Sequence, residues 1–220
     1  MSSSTEEFRR QAEVYVPDLK TNWKLDRVAF FGSADIPIES QLYQDAYDCA
    51  KLLAQHGKII VNGGGPGIMQ ASTQGAEVVG GKTIGVTLNP DRDELPEFEG
   101  ESSGNRLTLQ YKTKNYIERM FGLLSLADVF VCFRGGTGTL SEWATAWLLA
   151  HLYYGRHKPL ILYGSFWFDV MENINCNFLI GEKERNIYRI VENKAQLLAV
   201  IEGLEKELQV IRESQEDSLS

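Results

Sequence analysis

RVAFFGSAD, residues 27–35, opens the part of the chain that decides the fold. The run RVAFF is short and mainly apolar, and Gly32 and Ser33 close it, the pattern of a buried strand feeding a turn. Leu42, Ala46, Cys49, Ala50 and Leu53 follow at helical spacing, with Gly57 as a stop. KIIV at 58–61 is then a second strand, so the first 35 residues of the motif read as one βαβ unit.

The alternation continues outward. The pattern predicts a helix from about Pro66 to Val79, strands at Thr83 to Leu88 and about Arg106 to Lys112, and a helix from Tyr116 to Leu126. A strand at Asp128 to Phe133, a helix from about Thr139 to Leu152, and strands at Pro159 to Tyr163 and Ile187 to Val191 complete it. Strands apolar on both faces imply helices above and below them. The expected fold is therefore α/β: a doubly wound Rossmann-like parallel sheet with helices on both faces. NPDRDELPEFEGESSG, from Asn89 to Gly104, is acidic and rich in turn residues and reads as a surface loop. Residues 1–26 read as a peripheral N-terminal arm, 27–213 as a single Rossmann-like nucleotide-binding domain, and 214–220 as a frayed tail. Leu197, Ile201, Leu204, Leu208 and Ile211 make an apolar helical stripe, suited to packing on the domain itself or to a subunit contact.

Composition narrows the function. At 220 residues, with 43% hydrophobic and 24% charged, the chain has enough apolar material for a globular core. Its 30 Asp+Glu outnumber 22 Lys+Arg for a net charge of -8, which offers no broad basic surface to a nucleic acid polymer. A small phosphorylated ligand remains compatible, because a few backbone amides and one arginine suffice to hold it. Cys49, Cys132 and Cys176 have neither CxxC spacing nor an even count, so no disulfide framework or zinc site is expected. His56, His151 and His157 show no metal-ligand spacing and are assigned to helix ends and surfaces. MSSSTEEFRR lacks the apolar stretch of a secretory signal and no run is long enough to span a bilayer, so the expectation is a cytoplasmic protein without membrane, metal or cofactor.

Three strand-to-helix turns are glycine-rich: FFGSAD at 30–35, VNGGGPGIM at 61–69 and CFRGGTGTLSE at 132–142. Glycine brings backbone amides close to an anion without an intervening Cβ, and each following helix points its positive end there. In doubly wound sheets these turns lie at the carboxyl ends of the strands, where ligands bind. Neither GxGxxG nor GxxxxGK[ST] is present: in the runs from Gly63 and Gly136, Ile68 and Ser141 stand at the sixth position, where the dinucleotide motif has its last glycine. A mononucleotide or sugar phosphate fits better than a dinucleotide or a triphosphate.

RGGTGTLSE at 134–142 is similar to the PGGxGTxxE signature of the LOG family, the cytokinin riboside 5′-monophosphate phosphoribohydrolases. GGGPGIMQAS at 63–72 and FFGSA at 30–34 resemble that family's other two glycine turns, in order, and Arg119 in ERMFGLL falls where the family carries the arginine of its RKxxM helix. Arg134 replaces the signature's proline and Met120 the lysine. The resemblance covers about Arg27 to Glu192. It implies hydrolysis of the N-glycosidic bond of a nucleoside 5′-monophosphate, of the AMP or cytokinin riboside type, to free base and ribose 5-phosphate.

On that resemblance Glu142 and Arg119 are the expected catalytic residues. Ser33, Gly64, Gly65, Gly135, Gly136, Gly138, Thr139 and Arg134 are the expected phosphate and ribose ligands. Glu142 is expected one turn inside its helix, where a carboxylate stabilises positive charge developing on the sugar and orients the attacking water; otherwise it is a solvated helix residue. Arg119 either holds phosphate or ribose, assists the departing base, or forms a surface ion pair. Thr139 is alternatively a plain helix N-cap. Trp143 and Trp147 are expected in the core or a subunit contact rather than against a base. The family generally forms dimers, so a homodimer or higher homo-oligomer is expected. The alternative function is a non-catalytic nucleotide-binding or sensing module, motivated by Arg134. Lysine decarboxylase chemistry, a label attached to relatives of the family, would need a Schiff-base lysine, and neither Lys112 nor Lys114 is marked out as one.

Overall fold

The computed structural model describes residues 24–88, 100–102, 104–155 and 157–217. The expected arm therefore falls outside the described residues except for its end, and so does most of the acidic loop at 89–104. The elements are β1 (Arg27–Phe31), α1 (Gln41–Gln55), β2 (Ile59–Asn62), α2 (Ile68–Glu77), β3 (Thr83–Leu88), β4 (Leu109–Thr113) and α3 (Tyr116–Leu126). They continue with β5 (Val129–Cys132), α4 (Thr137–Leu152), β6 (Leu160–Tyr163), α5 (Phe166–Asn177), α6 (Glu182–Arg185), β7 (Tyr188–Val191) and α7 (Lys194–Asp217).

The seven strands form one sheet in the order β4-β3-β2-β1-β5-β6-β7, and every pairing is parallel. Successive strand side chains alternate between the two faces, which is why the buried strands are apolar throughout. Val28 and Phe30 of β1 join one core with Ala46, Cys49 and Leu53 of α1, Ile68 of α2 and Leu197 and Ile201 of α7. Ala29 and Phe31 join the other with Leu123 of α3, Trp143 and Ala146 of α4 and Trp167 of α5. The doubly wound expectation is met. Its topological switch lies between β1 and β5, where Phe31 pairs with Cys132.

Several details differ from expectation. β4 starts at Leu109 rather than Arg106 and its residues are mainly exposed, because it is an edge strand paired on one side only. α5 and α6 lie in a stretch left unassigned by the sequence pattern, and they supply the crossover that parallel β6 and β7 require. Leu25, placed in the arm by sequence, is buried in the first core, and its amide donates to Glu205 of α7 at 2.8 Å. Leu197, Ile201, Leu204 and Leu208 are all buried, so the stripe packs on the domain itself; the side chain of Ile211 is outside the described residues. α7 continues to Asp217, into the stretch expected to fray.

Candidate functional site

The switch point brings the three glycine turns into contact through Ser33. Its amide donates to the carbonyl of Arg134 in the third turn at 3.2 Å, and its carbonyl accepts the amide of Ile68, at the start of α2, at 3.0 Å. Glycine is required where these backbones cross. Gly67 has φ +62, and a Cβ there would meet the carbonyl oxygens of Ser33 and Ala34; a Cβ on Gly135 would meet Thr139 and the Ser33 amide. The second turn is set internally by Asn62, fully buried at the end of β2. Its Nδ2 donates to Met69 O, Ser72 Oγ and Thr73 Oγ1 at 2.9–3.1 Å, and its Oδ1 accepts the Gly64 amide at 2.9 Å.

Above these turns lies a cavity of about 260 Å³ lined by Ser33, Asp35, Gly63, Met69, Tyr116, Arg119, Leu123, Gly136 to Thr139 and Glu142, with the ends of Phe30, Phe31, Gly32 and Ala34. Arg119 and Glu142, 23 positions apart in sequence, thus face one space. Arg119 is only 4% exposed: its Nε donates to Val86 O at 3.3 Å and its Nη2 to Gly63 O at 3.2 Å. A surface ion pair is therefore not its environment. α4 begins at Thr137 with Gly136 as N-cap, and no side chain caps it. The amides of Thr137, Gly138 and Thr139 are the first-turn donors that a helix leaves without an intrahelical partner, and they line the cavity. Two expectations change with that boundary. Thr139 is the third helical residue and not the N-cap, and Glu142 is the sixth, about one and a half turns in.

Of the expected phosphate and ribose ligands, Ser33, Gly136, Gly138 and Thr139 line the cavity, and Gly64, Gly65, Gly135 and Arg134 do not. Gly64 and Gly65 are buried and serve as acceptors for Asn105, whose Nδ2 reaches their carbonyls at 2.7 and 3.0 Å, while the Gly64 amide is taken by Asn62. Gly135 is where the third turn passes Ser33. Arg134 is exposed and its guanidinium stands over the Phe166 ring at 5.6 Å from the centroid, a cation–π contact on the outer rim.

Sequence reasoning missed Tyr116, Met69, Asp35 and Thr137 as wall residues. Tyr116 had a usable signal, because it precedes Arg119 by three on a predicted helix and so shares its face. Trp143 is buried and stacks on Trp147 with centroids 5.4 Å apart, beside Trp167 at 5.1 Å, as core residues rather than cavity wall. Beneath the cavity, burial and then the nearby Glu142 carboxylate hold the Cys132 thiol well above its ordinary range, so it is not a thiolate nucleophile. His157 is buried at 5% exposure, contrary to the surface expectation. Among the described residues there is no group of three His, Cys, Asp or Glu side chains that could hold a metal ion, and no helix is long and apolar enough to cross a membrane.

A family model described as the SLOG cluster4 family matches residues 26–190. Among solved structures, the structural-genomics target TM1055 is similar at 28% identity, covering 81% of this chain and 99% of that one with a TM-score of 0.60. The molybdenum cofactor binding protein from Rippkaea orientalis is similar in fold at 23% identity, 81% and 94% coverage and a TM-score of 0.58. DNA processing protein A from Helicobacter pylori, a single-stranded DNA binding protein, shares the fold at 19% identity, 87% and 86% coverage and a TM-score of 0.52.

Proposed function

The chain belongs to the SLOG cluster4 family, a LOG-type family, and from that premise we propose that it hydrolyses the N-glycosidic bond of a nucleoside 5′-monophosphate. The observation that supports this reading is the single cavity shared by Arg119, Glu142, Ser33 and the first turn of α4. The 5′-phosphate sits against the amides of Thr137 to Thr139, where backbone donors and the helix dipole favour an anion in a chain of net charge -8. The ribose then extends toward Arg119 and Glu142. As the bond from the anomeric carbon to the base nitrogen lengthens, positive charge develops on the sugar, and the Glu142 carboxylate stabilises it and orients the attacking water. The water oxygen bonds to the anomeric carbon and gives up one proton to the Glu142 carboxylate, while the base leaves with the bonding pair and takes up one proton, so that one water is added across the bond in total. Arg119 is fixed by the Val86 and Gly63 carbonyls, and it presents its charge to the phosphate or ribose without having to be reorganised.

The test is incubation of the pure protein with AMP and N6-substituted adenosine monophosphates, with free base measured by chromatography. Base release at catalytic rates supports the reading; tight binding with no base after hours rejects it. Binding without turnover is the alternative that the same assay detects. Single-stranded DNA belongs in the same assay as a polyanion control. Homodimerisation is proposed on the exposed apolar residues Leu140, Leu148 and Leu152 of α4, and light scattering tests it.

A further inference from the structure

Helix α3 touches the site at two heights. Arg119 reaches the second glycine turn through Gly63 O, and one turn earlier on the same face Tyr116 reaches the third. The Tyr116 hydroxyl lies 3.2 Å from Gly138 O and in a short contact with Ser141 Oγ, which itself donates to Gly138 O at 2.9 Å. Gly138 O is also the carbonyl to which helical geometry directs the Glu142 amide, four residues on. Gly138 is thus at once part of the amide cradle, the anchor of Tyr116 and the base of the turn that carries Glu142.

We propose that Tyr116 is a positioning residue: its hydroxyl sets the distance between the Arg119 half of the cavity on α3 and the amide cradle with Glu142 on α4. The inference rests on the mononucleotide reading above but not on turnover. A tie between two halves matters to a ligand that spans both and is indifferent to one that occupies a single half. Inorganic phosphate, held by the first turn of α4, occupies one half; ribose 5-phosphate and AMP span the two.

Tyr116→Phe keeps the ring that lines the cavity and removes the hydroxyl. Calorimetric Kd values for inorganic phosphate, ribose 5-phosphate and AMP are measured on the wild type, Tyr116→Phe, Ser141→Ala and the double variant. The expected result is a Kd for AMP and ribose 5-phosphate raised about five- to tenfold in Tyr116→Phe, the effect of roughly one net hydrogen bond, with phosphate affinity within about twofold. The double variant is expected to add little to the Tyr116→Phe effect, because both side chains meet at Gly138 O. Equal losses for phosphate and AMP would indicate a general loosening of the fold and overturn the proposal, as would unchanged affinity for all three or full additivity. Ligand binding by the wild type without base release defeats hydrolysis alone and leaves the Kd comparison decisive for Tyr116. A wild type that binds none of the three defeats both.

Discussion

The Ser33 amide donates to the Arg134 carbonyl at 3.2 Å, directly beyond the last paired residues of β1 and β5, Phe31 and Cys132. That contact joins turns a hundred residues apart in sequence, and it exists because β5 rather than β3 lies beside β1 on the open side. Chain reversal at the switch point leaves a crevice lined by Gly63 and Met69 on one side and the first turn of α4 on the other. Acid and guanidinium enter from α4 and α3. The site is therefore a consequence of strand order, with local sequence supplying only the glycines and the two charged groups.

Glu142→Gln should lower base release by at least about a hundredfold, the scale of a lost carboxylate general base, with little change in affinity for ribose 5-phosphate. The amide keeps the shape and one acceptor oxygen, replaces the other with a donor NH2, and carries no negative charge toward the sugar. Free base is quantified against time, and circular dichroism confirms that the fold is kept. Turnover close to that of the wild type would remove Glu142 from the catalytic role.

Gly67→Ala is expected to destabilise the protein by about 2 kcal/mol or more, combining left-handed backbone strain with a clash. At φ +62 the added methyl would meet the carbonyls of Ser33 and Ala34. Thermal unfolding should show a lower Tm, and AMP affinity should fall with it, because the contact between the first and second turns is forced apart. Gly57, also at positive φ, has open space around its would-be Cβ and is the control. Gly57→Ala should cost stability without affecting AMP affinity.

Arg134→Ala should leave turnover within about threefold of the wild type, since an exposed cation–π contact is worth at most about 1 kcal/mol. Its guanidinium lies over Phe166 and not on the cavity wall. A tenfold or greater rise in KM would place the side chain on the phosphate after all.

How much of this was legible in the sequence follows from range. The parallel sheet and the three turns were readable, because each is signalled within a dozen residues by periodicity or glycine; Arg119 and Glu142 were marked out only by the family resemblance of the motifs that carry them. α5 was not. Its buried anchors Trp167 and Met171 are only two residues, one turn apart, in a helix whose other face is wet, and that pattern is weak beside the strong apolar run of β6. That Gly64, Gly65 and Gly135, expected as ligand residues, lie off the cavity wall was not legible for a different reason. Glycine has the same appearance in sequence whether its amide faces an anion or its Cα passes another strand, and only the partners Asn62, Asn105, Ser33 and Thr139 tell the two apart. Helical spacing from Arg119 could have placed Tyr116 on the cavity wall, but its contact with Gly138 depends on where α4 passes α3 and has no local signal.

His157 gives a pH signature independent of the site. Burial is the main cause that lowers it to about 4 from its ordinary 6.5; the Glu207 carboxylate opposes the shift and Arg189 adds to it. Its Nδ1 accepts the Gly155 amide at 3.2 Å, which a doubly protonated ring would not do. Between pH 4 and 6.5 the unfolded chain therefore binds more protons at this position than the folded one, so stability rises with pH across that window. The contribution is fully present above pH 6.5 and is lost as pH falls toward 4. His157→Gln keeps an acceptor but does not titrate. Urea midpoints at pH 7 and 4.5 should fall less in His157→Gln than in the wild type, the difference corresponding to about 2 kcal/mol. Parallel curves for the two proteins would mean that His157 is protonated in the folded state, and the Gly155 contact would have to be reassigned.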